Sequence, residues 1–266
     1  MSSSGMVYLM YHELQLPERE LCDQEQGYAR YVVAEGVFRE QLSHLKSSGF
    51  RGLNVTEALA DTVEKTRSVC LTFDDGCETD LQIAAPLLQA NDFNATFYVT
   101  VAHLERRGYL SRRQLRELSD QGFEIGCHSM NHVYLTDLPQ ERLRTEIVES
   151  KDRLEQLTGK PVAHFSCPGG RWDRRVATLA QEAGYASVAT SRIGVNLRGA
   201  DRYCLSRIAI KRDVSITEFA RLCRSKGLKL RQAQSAMLAS AKRVLGNSMY
   251  EKIRARVLGQ GSEASG

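Results

Sequence analysis

The chain has 266 residues, 42% of them hydrophobic and 26% charged, with a formal net charge of +4, a balance that suits one globular α/β domain of about 200–250 residues. Seven cysteines, an odd number with no CxxC pair, argue against a disulfide framework and for a reducing compartment. Val7–Tyr11, the first apolar stretch, is too short for a signal h-region or a membrane span, so a cytoplasmic protein is expected. The basic character is local. Residues 221–258 hold ten Lys/Arg against one Glu, or +9, which leaves the remainder at −5.

Residues 1–5 read as a disordered lead, and Met6–Tyr11 as a first strand that runs into His12. Phe38, Leu42 and Leu45 share a helix face closed by Gly49; a strand near 51–53 and a helix over 56–63 follow. Val69-Cys70-Leu71 is a buried strand that ends abruptly in Asp74-Asp75-Gly76. Leu81, Ala84, Leu87 and Leu88 mark a helix, Ala95–Val101 a strand, and Ser111 with Gln114 a capping box. Glu124–Cys127 is a strand leading into His128. Asp137 with Gln140 should cap a long helix closed by Gly159. Strands near 163–167, 186–190 and 207–210, with a helix over 174–183, complete a barrel-like α/β body over 6–220. Residues 221–258 read as two amphipathic helices with basic outer faces, and 259–266 as a disordered tail. The basic helices could touch an anionic membrane; solvated helix faces packed on the body are favoured.

Two adjacent carboxylates at a strand end repel each other unless a positive charge sits beside them. His128 and His132 follow another strand end and can reach the same mouth as Asp75, since ligand chemistry in such sheets gathers at the carboxyl ends of the strands. Two imidazoles and one carboxylate form a common open Zn2+ set. Other divalent transition metals fit the same donors. Read from the residues alone, this is metal-assisted hydrolysis of an amide or ester.

Thr72-Phe73-Asp74-Asp75-Gly76, His128-Ser129-x-x-His132 and Phe165-Ser166-Cys167-Pro168-Gly169-Gly170 resemble, in order and spacing, the first three motifs of the polysaccharide deacetylases, the NodB-homology group of carbohydrate esterase family 4. The resemblance covers about Val7 to Ile210. It implies a distorted, incomplete (β/α) barrel, here with a C-terminal helical extension, and removal of acetyl groups from N-acetylated sugars with a divalent metal. By position it implies Asp75, His128 and His132 as metal ligands and Asp74 as the base, taking a proton from a water whose pKa the cation lowers from 15.7 to about 7. It also implies the backbone N–H of Gly169 as oxyanion donor.

The chain departs from the family pattern in two places. The arginine that orients the base is replaced by Ser166, and the late segment Leu205-Ser206-Arg207-Ile208 lacks the acid histidine. A subgroup similar to the exopolysaccharide deacetylases takes that acid from an N-terminal Tyr-His, so Tyr11-His12 makes His12 the expected acid, and Arg207 is a candidate for the missing arginine. Trp172 is a candidate sugar-stacking residue. Cys77, Cys127, His44, His103 and His164 read as bystanders. The expected partner is an N-acetylated carbohydrate, with no nucleic acid. The competing readings are an O-acetyl esterase or small-molecule amidase on the same site, and a catalytically silent sugar-binding relative.

Overall fold

The computed structural model describes residues 5–23, 26–60, 62–228 and 231–233. The chain divides into two units, Met1–Lys226 and Gly227–Gly266. The sequence-based boundary at 220/221 falls inside the helix Ile216–Cys223, and of the basic helical extension expected over 221–258, residues 229–230 and 234–258 lie outside the described residues. Among the described residues, no helix is long and apolar enough to cross a membrane.

Among the described residues the strands are β1 (Val7–Tyr11), β2 (Leu14–Gln15), β3 (Val33–Ala34), β4 (Arg51–Leu53), β5 (Ser68–Asp75), β6 (Thr96–Val99), β7 (Glu124–Cys127), β8 (His164–Ser166), β9 (Ser187–Ala189) and β10 (Ile208–Ala209). β2 and β3 pair separately. The rest form one parallel sheet in the order β10-β1-β5-β6-β7-β8-β9, with β4 paired to β5 off that path. The sheet curls into the incomplete (β/α) barrel expected from the sequence. Leu205 bridges its gap, donating to Val188 O and accepting from Thr190 N, both at 2.9 Å.

Every residue of β1 and β5 is buried. Unbroken burial of this kind is what a parallel sheet covered on both faces requires. Alternation sorts the side chains. Tyr8, Cys70, Tyr98 and Ala189 meet in one core cluster with Leu205. Tyr11, Phe73 and Phe97, of the opposite parity, stack in series at 5.2 and 4.8 Å. Thr72 and Asp74 share the parity of Cys70. Because every strand is parallel, His12, Asp75, His128 and Ser166 all emerge around one mouth.

Three helix expectations need correction. The helix expected over 56–63 is Val55–Leu59, started by a capping box between Asn54 and Glu57 and ended at Ala60. Asp137 does not cap the long helix. Proline disfavours the helical conformation in the residue before it; Leu138 is extended, Pro139 takes the cap position and the helix starts at Gln140. That helix and the one expected around Leu81 each contain a π-turn, Thr145–Glu149 and Asp80–Ala84. Each turn buries a carboxylate side chain, Glu146 and Asp80. Turns of this type recur at functional sites.

Candidate active site

Consecutive strand side chains point to opposite faces, so Asp74 and Asp75 should not reach a common neighbour. They do: His128 Nε2 lies 3.8 Å from Asp74 Oδ2 and 3.5 Å from Asp75 Oδ1. The alternation breaks because Asp75 takes φ +84°, and Ser129 and His132 are also in the left-handed region, at +68° and +57°. Each such non-glycine residue costs of order 1–3 kcal/mol and persists where the surroundings over-determine it. Here Glu146 supplies that constraint. Its carboxylate accepts from the backbone N–H of Met130 and Asn131 at 3.0 and 2.9 Å and from Asn131 Nδ2 at 2.7 Å, clamping the loop between the two histidines. Ser129 Oγ accepts the His132 N–H at 3.0 Å.

Asp75, His128 and His132 offer three donor atoms within 4.8 Å of one another. His132 Nε2 is 3.3 Å from Asp75 Oδ1, which is buried and has no hydrogen-bond partner. His128 Nδ1 lies 2.9 Å from Ser166 O. A carbonyl can only accept, so Nδ1 carries the proton and Nε2 turns a bare lone pair toward Asp75. Burial holds the His128 pKa down to about 4, against the pull of Asp74, so the ring is neutral near pH 7. Lone pairs that converge without a shared proton repel. These donors fit a Zn2+-class divalent cation, and the second-nitrogen bond to Ser166 O is the usual orientation of a ligating histidine.

Asp74 is held differently. Arg207, fully buried, donates from Nη1 to Asp74 Oδ1 at 2.7 Å and from Nη2 to Oδ2 at 2.8 Å, a fork-on-fork pair. Its other donors go to Thr190 O at 3.0 Å, Thr72 Oγ1 at 3.3 Å and Ser166 Oγ at 2.7 Å. Ser166 Oγ in turn donates to Asp74 Oδ2 at 3.3 Å. The serine at the expected arginine position thus leaves room for a guanidinium arriving from the other side of the barrel. Burial alone would raise the Asp74 pKa, but Arg207, His128 and His12 outweigh it and hold the carboxyl well below the usual range. Asp75 is also held low against burial, by His132, His12 and His128.

His12 thus acts electrostatically on both carboxylates. Its ring packs on Tyr31 at 4.9 Å, and its Nδ1 is buried without a hydrogen-bond partner. Gly169 sits at φ +60°, where a Cβ would lie 2.6 Å from the Tyr134 ring, so close approach of that backbone requires glycine. Trp172 is half-buried and its indole N–H has no hydrogen-bond partner.

Residues 61–188 match the polysaccharide deacetylase family. The matched stretch includes Asp74, Asp75, His128, His132 and Gly169; His12 and Arg207 lie outside it. The chain is 35% identical over 121 residues to a peptidoglycan-N-acetylglucosamine deacetylase of Bacillus cereus, covering 45% of this chain and 54% of the relative. It is 29% identical over 131 residues to a chitooligosaccharide deacetylase of Bradyrhizobium, covering 47% and 57%. It therefore spans little more than half the length of these two relatives. Among solved structures, a polysaccharide deacetylase from Bacillus cereus superposes with a TM-score of 0.70 at 27% identity, covering 81% of this chain and 68% of that one. A Streptococcus pyogenes deacetylase in complex with acetate gives 0.74 at 24% identity, over 84% and 99%, a likeness of fold.

The sequence reading missed three contributors to this site. Glu146 lies on a helix with no motif. Ser166 reads as a lost arginine rather than as the hydroxyl that joins Arg207 to Asp74. His103, read as a bystander, packs against His132 with ring centroids 5.5 Å apart, and its pKa is lowered by burial against the pull of Asp75. A lone histidine twenty-nine residues from its neighbour leaves no pattern to read. His164, by contrast, is structural, bonded to Thr56 Oγ1 at 2.9 Å and Ser187 Oγ at 2.8 Å.

Proposed function

We propose that this chain is a metal-dependent N-deacetylase of acetylated carbohydrates. The observation that carries the proposal is the convergence of Asp75, His128 and His132 beside a second carboxylate, Asp74, that is ionised and clamped by Arg207. The family match and the N-acetyl sugar deacetylases among its relatives support the substrate class.

Asp75, His128 and His132 would hold a divalent cation, Zn2+ by their donor set, which when bound acidifies water and polarises a carbonyl. Asp74 accepts the proton of the attacking water. Both its oxygens meet Arg207 and Oδ2 also accepts from Ser166 Oγ, so the lone pair that takes the proton is the second one on Oδ1. Arg207 fixes the plane of that carboxylate and keeps it ionised. The N–H of Gly169 meets the oxyanion that develops on the acetyl carbonyl. His12 gives a proton to the departing nitrogen, which leaves poorly as an anion. Trp172 lines the sugar side.

The test is acetate release from a panel of N-acetylglucosamine oligomers and O-acetyl esters, with chelation and metal add-back. The expected result is release from the N-acetyl sugars, lost on chelation and restored by Zn2+. Preference for the esters would make the chain an esterase. Glycan binding without acetate release, with metal present, would make it a silent relative.

A further inference from the structure

A second group of metal-competent side chains lies beside the first and plays no part in the chemistry above. Glu13 follows β1, Cys77 follows the Asp74-Asp75-Gly76 turn, and Cys22 comes from the loop between β2 and β3. One donor atom from each lies within 4.8 Å of the other two. Glu13 and Cys77 are fully buried and Cys22 is half-buried. The loop is drawn in around them. Cys22 N donates to Glu13 Oε2 at 2.9 Å and Cys22 Sγ to Gly108 O at 2.9 Å. Arg19 bonds Glu13, Glu78 (2.8 Å) and Gly108 O (3.0 Å). Tyr28 Oη lies 3.5 Å from Cys77 Sγ.

An independent feature points to a missing positive charge. Asp80, on the π-turn just after Cys77, is completely buried, and neither of its carboxyl oxygens has a hydrogen-bond partner. Its strongest electrostatic neighbours are Cys22, Asp75 and Glu13, all of them acidic. The contrast with Glu146 is direct. Both are buried carboxylates on π-turns, but Glu146 accepts three N–H bonds. A buried carboxyl without donors is unstable unless it is neutralised or bound to a cation. With their protons displaced by a bound metal, the two thiols and two carboxyls would carry four negative charges, of which Arg19 offsets one. A divalent cation would bring the cluster close to neutral, and two sulfurs with a carboxylate oxygen suit a thiophilic ion.

We propose that Glu13, Cys22 and Cys77 form a second metal site for a Zn2+-class cation, with the buried Asp80 carboxyl beside it as a supporting group, tying the loop between β2 and β3 to the turn after β5 at the rim of the mouth. Its role is structural, since it joins three separate segments of the chain. It stands or falls independently of the deacetylase reading.

Cobalt separates the two sites, because the Asp75/His128/His132 group has no sulfur and only thiolates give Co2+ an intense near-ultraviolet charge-transfer band. The reduced, metal-stripped full-length chain should bind two Co2+ and show that band. Cys22→Ser, at the half-buried position, should lose the band and one equivalent of Co2+. Asp80→Asn should weaken binding at the same site, about 10–100-fold by analogy with the loss of a group supporting a metal. His132→Ala should lose the other equivalent and keep the band. Uptake of Co2+ without the band, or a band that survives in Cys22→Ser, overturns the proposal. So does a Cys22–Cys77 disulfide that persists under reductant and excess metal.

Discussion

Replacing Arg207 with methionine tests the way Asp74 is held. The substitution keeps an unbranched apolar stem and removes both donors to Asp74, together with those to Thr72, Ser166 and Thr190. Removing one partner of a buried ion pair costs about 3–5 kcal/mol, a large share of the roughly 5–15 kcal/mol that holds a domain together. The variant should therefore be measured cold and its unfolding followed by denaturant. The second consequence concerns protonation. In the native chain the Asp74 pKa lies below its unfolded value of about 3.9, so the group contributes stability above that pH and loses it as pH falls through the folded value. Without Arg207, burial becomes the dominant influence and raises the pKa. The sign then reverses, and charging Asp74 destabilises the fold as pH rises. A protonated Asp74 cannot accept a proton, so kcat/KM at neutral pH should fall about 10²–10⁴-fold. Its acid limb should move upward, measured as acetate release against pH. Arg207→Lys, which keeps the charge but not the fork, should fall between the two. An Arg207→Met enzyme with the native acid limb and a rate within a few-fold of normal would refute the role given to this arginine.

Three further outcomes are expected. His12→Ala should slow release from an N-acetyl sugar about 10²–10⁴-fold yet barely affect an ester whose leaving group departs without a proton; equal losses on both would remove His12 as the acid. Metal-free protein should lose stability as pH falls from 6.5 to 4, because unfolding lets His128 take up a proton it refuses when buried. A pKa of about 4 against 6.5 makes this about 3 kcal/mol, and a His128→Gln variant with the same pH slope would contradict it. Glu146→Gln should weaken Zn2+ binding about 10–100-fold by loosening the loop that carries His132; an unchanged zinc affinity would show that the clamp is not needed.

The elements legible from sequence are those with a local signature. The strand ending in Asp74-Asp75-Gly76, the strand leading into His128 and the capping box at Ser111 are each written in a few consecutive residues, and each appears in the structure where expected. The start of the long helix was misread because Asp137 and Gln140 mimic a capping box while Pro139 governs the backbone. The two π-turns have no sequence pattern, and with them the buried carboxylates Asp80 and Glu146 were invisible. Cys77 read as a bystander because its neighbours Glu13 and Cys22 are more than fifty residues away in the chain. Arg207 was legible as a candidate for the missing arginine, but its fork onto Asp74 was not. Its contacts show why a serine is tolerated at 166: the small hydroxyl leaves space for the guanidinium and then bonds to it.

The most direct measurement is anomalous diffraction from crystals of the native protein soaked in Zn2+. The account predicts a peak about 2.0–2.2 Å from the side chains of Asp75, His128 and His132, within reach of Asp74 but not bonded to it. An enzyme that releases acetate while showing no peak between those three residues would contradict it.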